Sequence, residues 1–339
     1  MTATDSPVRS RILGLGHHLP ERVVTNADLT RCMDTSDEWI QQRTGIRQRH
    51  FISADAGPAD LAAPAAREAL RAAGVAAADL DLILLGTLSP DVDFPASASL
   101  LQRHLGVRGM PAMDVRNQCS GFVYMLAVAD QFIRTGAART VLVAGAETHS
   151  TGLDLSTAGR EVAVIFGDGA GAVVLGAESD PRRGILSTHL HSEGRFAEKL
   201  MVEGAASRSR PRLTEDMLPF PGSRLWPRME GRYVFKHAVV RFPEVIREAL
   251  EANGYGPADL DLLIPHQANL RISQLVQSEL ELPDEKVFNN IDRYGNTTAA
   301  SIPIALHEAV TAGRVREGSL VCLASFGAGF TWASALIRW

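Results

Sequence analysis

Residues 67–86 read REALRAAGVAAADLDLILLG and residues 247–266 read REALEANGYGPADLDLLIPH, two stretches that align without a gap 180 positions apart. Each carries alanine and leucine at helical spacing up to a glycine, Gly74 or Gly254, then a short loop, then an acid-flanked apolar run. A glycine at the end of a helical pattern supplies the turn that closes a helix, and the apolar run behind it has the length of a buried strand. The same αβ unit is therefore predicted twice. At the same offset VLVA at 141–144 aligns with VCLA at 321–324, and FGDGAGAVVLG from Phe166 has an echo in FGAGFTWASALI from Phe326. Three matching features in one order predict two related α/β halves, dividing near residues 175 to 185, so that 1–178 form one and 179–339 the other.

In such units ligands gather beyond the carboxyl ends of strands. That rule singles out His266 after LDLLIP, the stretch TLSPDVDF at 87–94, and Cys119 just after PAMDV. A twofold arrangement of the halves brings these ends to one seam. Residues 194–231 fall outside the repeat and mix Arg, Ser and Pro with Met217, Leu218, Phe220, Leu225 and Trp226. They read either as a solvated excursion or as a lid over an apolar channel.

Composition narrows the class. The chain has 339 residues, 45% apolar and 22% charged, as globular domains do. No apolar run reaches the roughly 20 residues of a membrane helix, and the first residues lack a basic-then-apolar signal pattern. A cytoplasmic protein without membrane insertion is expected. A net charge of -5 argues against nucleic acid as the main partner. The cysteines, Cys32, Cys119 and Cys322, are odd in number and unrelated in spacing, which argues against both a disulfide framework and a zinc cage. His17 and His18 have no complementary Cys, Asp or Glu spacing and read as a surface loop, with no metal expected.

Cys119 stands between a strand at 113–115 and an amphipathic helix running to about residue 134. A thiol at a helix start feels unpaired amides and the positive end of the dipole, so a lowered pKa is expected. Cys322 sits inside the apolar strand SLVCLAS as a small hydrophobe, and Cys32 has no chemical context. His266 in IPHQANLRI and Asn296 in YGNTTAASIP would each be structural if read singly. Together with Cys119 they make a set able to attack a carbonyl and stabilise an enolate.

These motifs, with DTSDEWIQQRTGIRQRH near the start, VIFGDGAGAVVL from Val164 and FGAGFTWASALIRW at the end, resemble ketoacyl-acyl-carrier-protein synthase III of the thiolase-like superfamily over nearly the whole chain. The resemblance implies a duplicated five-layered αβαβα fold, a homodimer, and decarboxylative condensation of an acyl thioester with a malonyl-type thioester through an acyl-Cys119 intermediate. It implies a triad of Cys119, His266 and Asn296, and an oxyanion hole of the Cys119 and Ala328 amides, with alanine where the family commonly has glycine. No cofactor is implied beyond CoA and carrier-protein thioesters as substrates. Trp39 and Arg160 match positions that sandwich the CoA adenine, Arg43 and Arg271 positions near its phosphates, and Asn269 a contact to pantetheine. Phe94 and Phe166 match acyl-pocket positions, Phe94 from across the dimer, and Lys236, Arg241 and Arg271 a docking face for an acyl carrier protein. Similar enzymes also make secondary metabolites, joining two long carrier-bound β-ketoacyl chains into a pyrone or moving an acyl group to an alcohol or amine. The segment 194–231 and the Arg116-Asn117-Gln118 run before the nucleophile keep that alternative open.

Overall fold

The computed structural model describes residues 8–339 except 54, 218–220 and 222, so Leu218 and Phe220 lie outside the described residues. After helix α1 (Asp37–Thr44), the two repeats fold as predicted. Helix α2 (Pro58–Ala73) leads to strand β2 (Leu82–Gly86), and helix α5 (Gly231–Glu251) leads to strand β7 (Leu262–Pro265). Gly74 and Gly254 turn the chain at φ 65° and 74°, a conformation that costs glycine little.

The first sheet also contains β1 (Arg9–His18), β3 (Ala112–Val115), β4 (Thr140–Glu147) and β5 (Gly169–Glu178), in the order β1-β5-β4-β2-β3. The second contains β6 (Gly184–Ser192), β8 (Leu320–Gly327) and β9 (Thr331–Arg338), in the order β6-β9-β8-β7. Registers repeat as well: Leu82 pairs with Val141 in parallel, and Leu262 with Val321. The aspartate ahead of each repeated strand explains part of this. Asp81 Oδ2 accepts from the Thr140 N–H at 3.0 Å and Asp261 Oδ2 from the Leu320 N–H at 2.7 Å, so each strand is tied to the start of its neighbour. A counterpart of β3 survives in the second half only as a bridge between Leu263 and Val287.

The apolar runs are continuous because both faces of each sheet are covered. Leu82, Leu84, Val141, Val143, Val321 and Leu323 face a central layer made by helices α4 (Gly121–Arg134) and α7 (Ser301–Thr311). Their neighbours Ile83, Leu85, Leu142 and Ala144 face α2 and α3 (Ser97–Leu105), while Leu263, Cys322 and Ala324 face α5 and α6 (Leu270–Glu279). The result is five layers, αβαβα. Phe122 is fully buried between the sheets. Phe122→Ala should cost about 3–5 kcal/mol, read as a lower urea midpoint.

One expectation changes, and of two open readings one is narrowed. His17 and His18 end strand β1 and are not a surface loop, because β1 stays paired with β5 through both residues. The segment 194–231 is not merely a solvated excursion: Leu200–Met201 and Arg228–Met229 pair as a two-stranded ribbon, and Met217 is buried.

Candidate active site

Strand β3 delivers the chain through exposed Arg116 to a single 3-10 turn, Gln118–Ser120, from which α4 departs. Gln118 takes φ 43°, a left-handed backbone that sharpens the turn. Cys119 thus stands at a helix start, as predicted, but only 7% of it is exposed. The expected lowering of its pKa is overturned. Burial, then the charge of Glu147, push the thiol up to about 12, while the backbone N–H groups of Ala328 and Cys119 pull downward without prevailing. Taking a thiolate out of water costs more here than helix-end amides return. The amides nearest the thiol are nevertheless the pair expected to receive an oxyanion, and Ala328 avoids positive φ, so its methyl group fits. Gly327, the last residue of β8, lies directly against the nucleophile. A Cβ added there would stand 2.5 Å from Cys119 Cβ and 2.9 Å from Sγ.

His266 follows β7, its N–H donating to the Ala324 carbonyl at 2.8 Å. The ring is buried, with Nδ1 2.6 Å from Ser301 Oγ and Nε2 without a partner. A buried ring nitrogen left unpaired marks a place for a substrate atom. Asn296 crosses Phe166 in an isolated bridge, its N–H donating to the Ile165 carbonyl at 2.8 Å. Its Oδ1 accepts from the Thr298 N–H at 2.8 Å, so the asparagine caps the turn that follows. Behind this crossing lies Arg49, fully buried, donating to Asn26 Oδ1 and the Val164 carbonyl at 2.7 Å each. Gly295 sits at φ 64° where a Cβ would meet the Ile165 carbonyl oxygen at 2.9 Å, which explains the glycine before Asn296.

Residues that sequence reasoning missed complete the site. His149 lies buried just past β4, hydrogen-bonded through Nε2 to Thr298 Oγ1 and packed on the Phe166 ring at 4.5 Å. Glu147, the last residue of β4, accepts from Ser89 Oγ at 2.7 Å and Thr87 Oγ1 at 3.1 Å, and burial lifts it to about 7. Both stand at the carboxyl end of a strand, the signal that could have found them. Burial holds His149 at about 3, and burial with the nearby His149 holds His266 at about 3. Both folded values lie below the ordinary 6.5, so their contribution to stability is present above about pH 6.5 and is lost as pH falls toward 3. Glu147, raised above its ordinary 4.5, acts oppositely between 4.5 and 7, but one carboxyl opposes two imidazoles. Urea midpoints should therefore fall on acidification below pH 6.5, and more gently in His149→Leu.

A cavity of about 700 Å³ reaches Cys119 and Asn296, whereas His266, His149 and Glu147 are not among its lining residues. Cys119, Gly327, Asn296 and Phe166 form part of its wall; Trp39, Arg43, Asn269 and Arg271 also line it. Leu200 and Met229 of the ribbon lie on the same wall, as does Arg232, which sequence reasoning left out. Trp39 has the Arg43 guanidinium 4.2 Å and the Arg160 guanidinium 5.1 Å from its ring. A base stacked between Trp39 and Arg160 needs about 7 Å, so Arg160 must withdraw by about 2 Å to admit one. Asn269 caps α6 by accepting from the Arg271 N–H and donates to the Arg43 carbonyl, both at 2.9 Å. Lys236 and Arg271 are exposed, whereas Arg241 is paired with Glu244 at 2.7 Å. Phe94 is 84% exposed and away from this cavity.

A duplicated αβαβα fold with a buried thiol at the base of a deep cavity on the seam defines a thiolase-like condensing enzyme. Comparison with known proteins agrees. The family described as 3-oxoacyl-[acyl-carrier-protein (ACP)] synthase III matches residues 113–194, and its C-terminal counterpart matches 250–339. The beta-ketoacyl-[acyl-carrier-protein] synthase III of Rhodospirillum centenum is 52% identical over 98% of this chain and 100% of that protein. The crystal structure of 3-oxoacyl-[acyl-carrier-protein] synthase III from Aquifex aeolicus VF5 superposes with a TM-score of 0.89 at 44% identity, covering 97% of this chain and 100% of that one. A priming beta-ketosynthase from the R1128 polyketide biosynthetic pathway is 33% identical with a TM-score of 0.87, covering 99% of each chain. This chain belongs to the 3-oxoacyl-[acyl-carrier-protein] synthase III family, and it is a condensing acyltransferase.

Proposed function

We propose that this enzyme condenses an acyl thioester with a malonyl-type thioester, releasing CO₂ and a 3-ketoacyl thioester, with Cys119, His266 and Asn296 as its catalytic groups. The observation that carries the reading is the packing of Cys119 against Gly327 and the Ala328 amide at the cavity base. In the first half-reaction Cys119 sulfur attacks the acyl carbonyl, the Cys119 and Ala328 N–H groups receive the oxyanion, and the thiol proton leaves with the departing CoA or carrier thiol. In the second, a hydroxyl proton from Ser301 on His266 Nδ1 keeps the imidazole proton on Nε2. That N–H and the Asn296 carboxamide N–H donate to the malonyl thioester carbonyl as CO₂ departs. The enolate attacks the acyl-Cys119 carbonyl, and the released thiolate takes a proton from solvent, replacing the one that left with the first thiol. A neutral His266 suits this role, since it donates without becoming an acid.

Trp39, Arg43, Arg160, Asn269 and Arg271 line the CoA path in this reading, with arginine forks for phosphate oxygens. Lys236, Arg241 and Arg271 face an acidic carrier protein, and Arg232 at the cavity wall extends that basic face. The enzyme works as a cytoplasmic homodimer in which Phe94 closes the partner's acyl pocket. Its exposure and the unpaired outer edge of β3 support that assignment. No described helix is long and apolar enough to cross a membrane.

A second reading, the joining of two long carrier-bound chains, draws on the ribbon that sets Leu200 and Met229 on the cavity wall. Acetyl-CoA with malonyl-carrier protein, assayed against long-chain 3-ketoacyl thioesters, separates the two. Turnover of the first pair with CO₂ release supports the proposal, and turnover of the second alone overturns it.

A further inference from the structure

The fold brings together three side chains that are far apart in sequence and outside the cavity. His17 comes from β1, Glu68 from α2 and His307 from α7. One donor atom from each lies within 4.8 Å of the others. His17 Nδ1 is 3.6 Å from Glu68 Oε2 and His307 Nε2 is 3.4 Å from Glu68 Oε1. These separations are too long for good hydrogen bonds, which close to about 2.7–3.2 Å. They are close to the edge of a zinc coordination tetrahedron, about 3.3 Å for ligand bonds of about 2.0–2.1 Å.

We propose that His17, Glu68 and His307 form a binding site for a divalent transition-metal ion of the zinc type. Two imidazoles and a carboxylate suit zinc and its neighbours, whereas calcium and magnesium take oxygen ligands. The rings lie with centroids 4.3 Å apart, and His17 Nδ1, the ring atom facing Glu68, is buried without a hydrogen-bond partner. Glu68 is aimed by the backbone N–H of His17, which donates to Oε2 at 2.8 Å and so orients the carboxylate. The three side chains are 30%, 32% and 17% exposed, which leaves an entry path and a coordination position for water.

The sequence repeat supplies an internal contrast. Glu248 occupies the position of Glu68 in the second REAL stretch and also meets two histidines, His189 at 3.2 Å and His191 at 2.6 Å. There the glutamate closes onto His191 as a hydrogen bond, and the three donors do not converge on one point. An ion at the first site joins the edge strand and outer helix of one half to α7, whose first residue Ser301 holds His266. Its effect is on stability, because none of its ligands lines the cavity.

The test uses the untagged full-length chain stripped with a chelator, titrated with Zn²⁺ by calorimetry and with Co²⁺ by visible absorption. One ion per chain is expected, with a rise of a few degrees in melting temperature. His17→Ala and His307→Gln should each weaken binding at least about tenfold and abolish the thermal shift. Both should still acylate at Cys119, which shows that they fold, and His191→Ala should bind as the unaltered chain does. Absence of saturable uptake by the unaltered chain overturns the site. So does binding that survives in both His17→Ala and His307→Gln, or that is lost in His191→Ala.

Discussion

Gly327→Ala is expected to slow acyl transfer to Cys119 by about 10²-fold or more, with the fold intact. The residue adopts no left-handed backbone, so the substitution acts through space and not through strain in the chain. The added methyl group would lie 2.5 Å from Cys119 Cβ, 2.9 Å from Sγ and 3.3 Å from the Cys119 backbone nitrogen. Rotation about χ1 of Cys119 moves only Sγ and leaves Cβ in place, so the 2.5 Å contact is relieved only when the backbone at Cys119 or at the end of β8 shifts, which carries the thiol with it. A displacement of about 1 Å at a reacting atom is enough to cost about 10²-fold. Single-turnover acylation followed by intact mass, beside a urea midpoint, separates a misplaced thiol from an unfolded chain. Ala328→Gly is the control, since its donor is the backbone N–H. Wild-type acylation in Gly327→Ala would mean that β8 does not position the nucleophile.

Asn296→Ala should acylate normally and lose about 10²- to 10³-fold in CO₂ release from the malonyl thioester, the usual cost of removing one donor to a developing oxyanion. The carboxamide does two jobs, because its Oδ1 also accepts from the Thr298 N–H. Thr298 itself sits at φ 49°, an uncommon conformation for a β-branched residue, so losing that bond could loosen the turn. Asn296→Asp separates the jobs by keeping the Oδ1 acceptor and removing the Nδ2 donor. It should match the alanine variant in decarboxylation while keeping the bond to Thr298, and its buried carboxyl adds a stability cost of its own, so the two variants are compared on CO₂ release at equal acylation. Normal condensation in either variant overturns the role assigned to Asn296.

How far the sequence could be read follows from how local each determinant is. The duplicated units were legible because helix, glycine turn and strand lie within 20 residues, and the repeated aspartates, Asp81 and Asp261, bond to strands 180 positions apart. Cys119, His266 and Asn296 could be singled out because each sits in a compact motif close to the end of a strand or turn. The direction of the thiol's pKa is not legible in the sequence, since the helix start is visible there but the burial that outweighs it is tertiary. Likewise, His149 meets Thr298 and His266 meets Ser301 only through tertiary approach, and neither pair has a local pattern. His17 has no complementary ligand at short spacing in the sequence. Its neighbours prove to be Glu68 and His307, which no spacing rule connects.

Mass spectrometry of the intact chain after exposure to acetyl-CoA, followed by peptide mapping, tests the central claim most directly. One acetyl group should appear on the peptide carrying Cys119, disappear when malonyl-carrier protein is added, and never form in Cys119→Ala. An acetyl group on Cys32 or Cys322 instead, or one that persists in Cys119→Ala, would contradict the account.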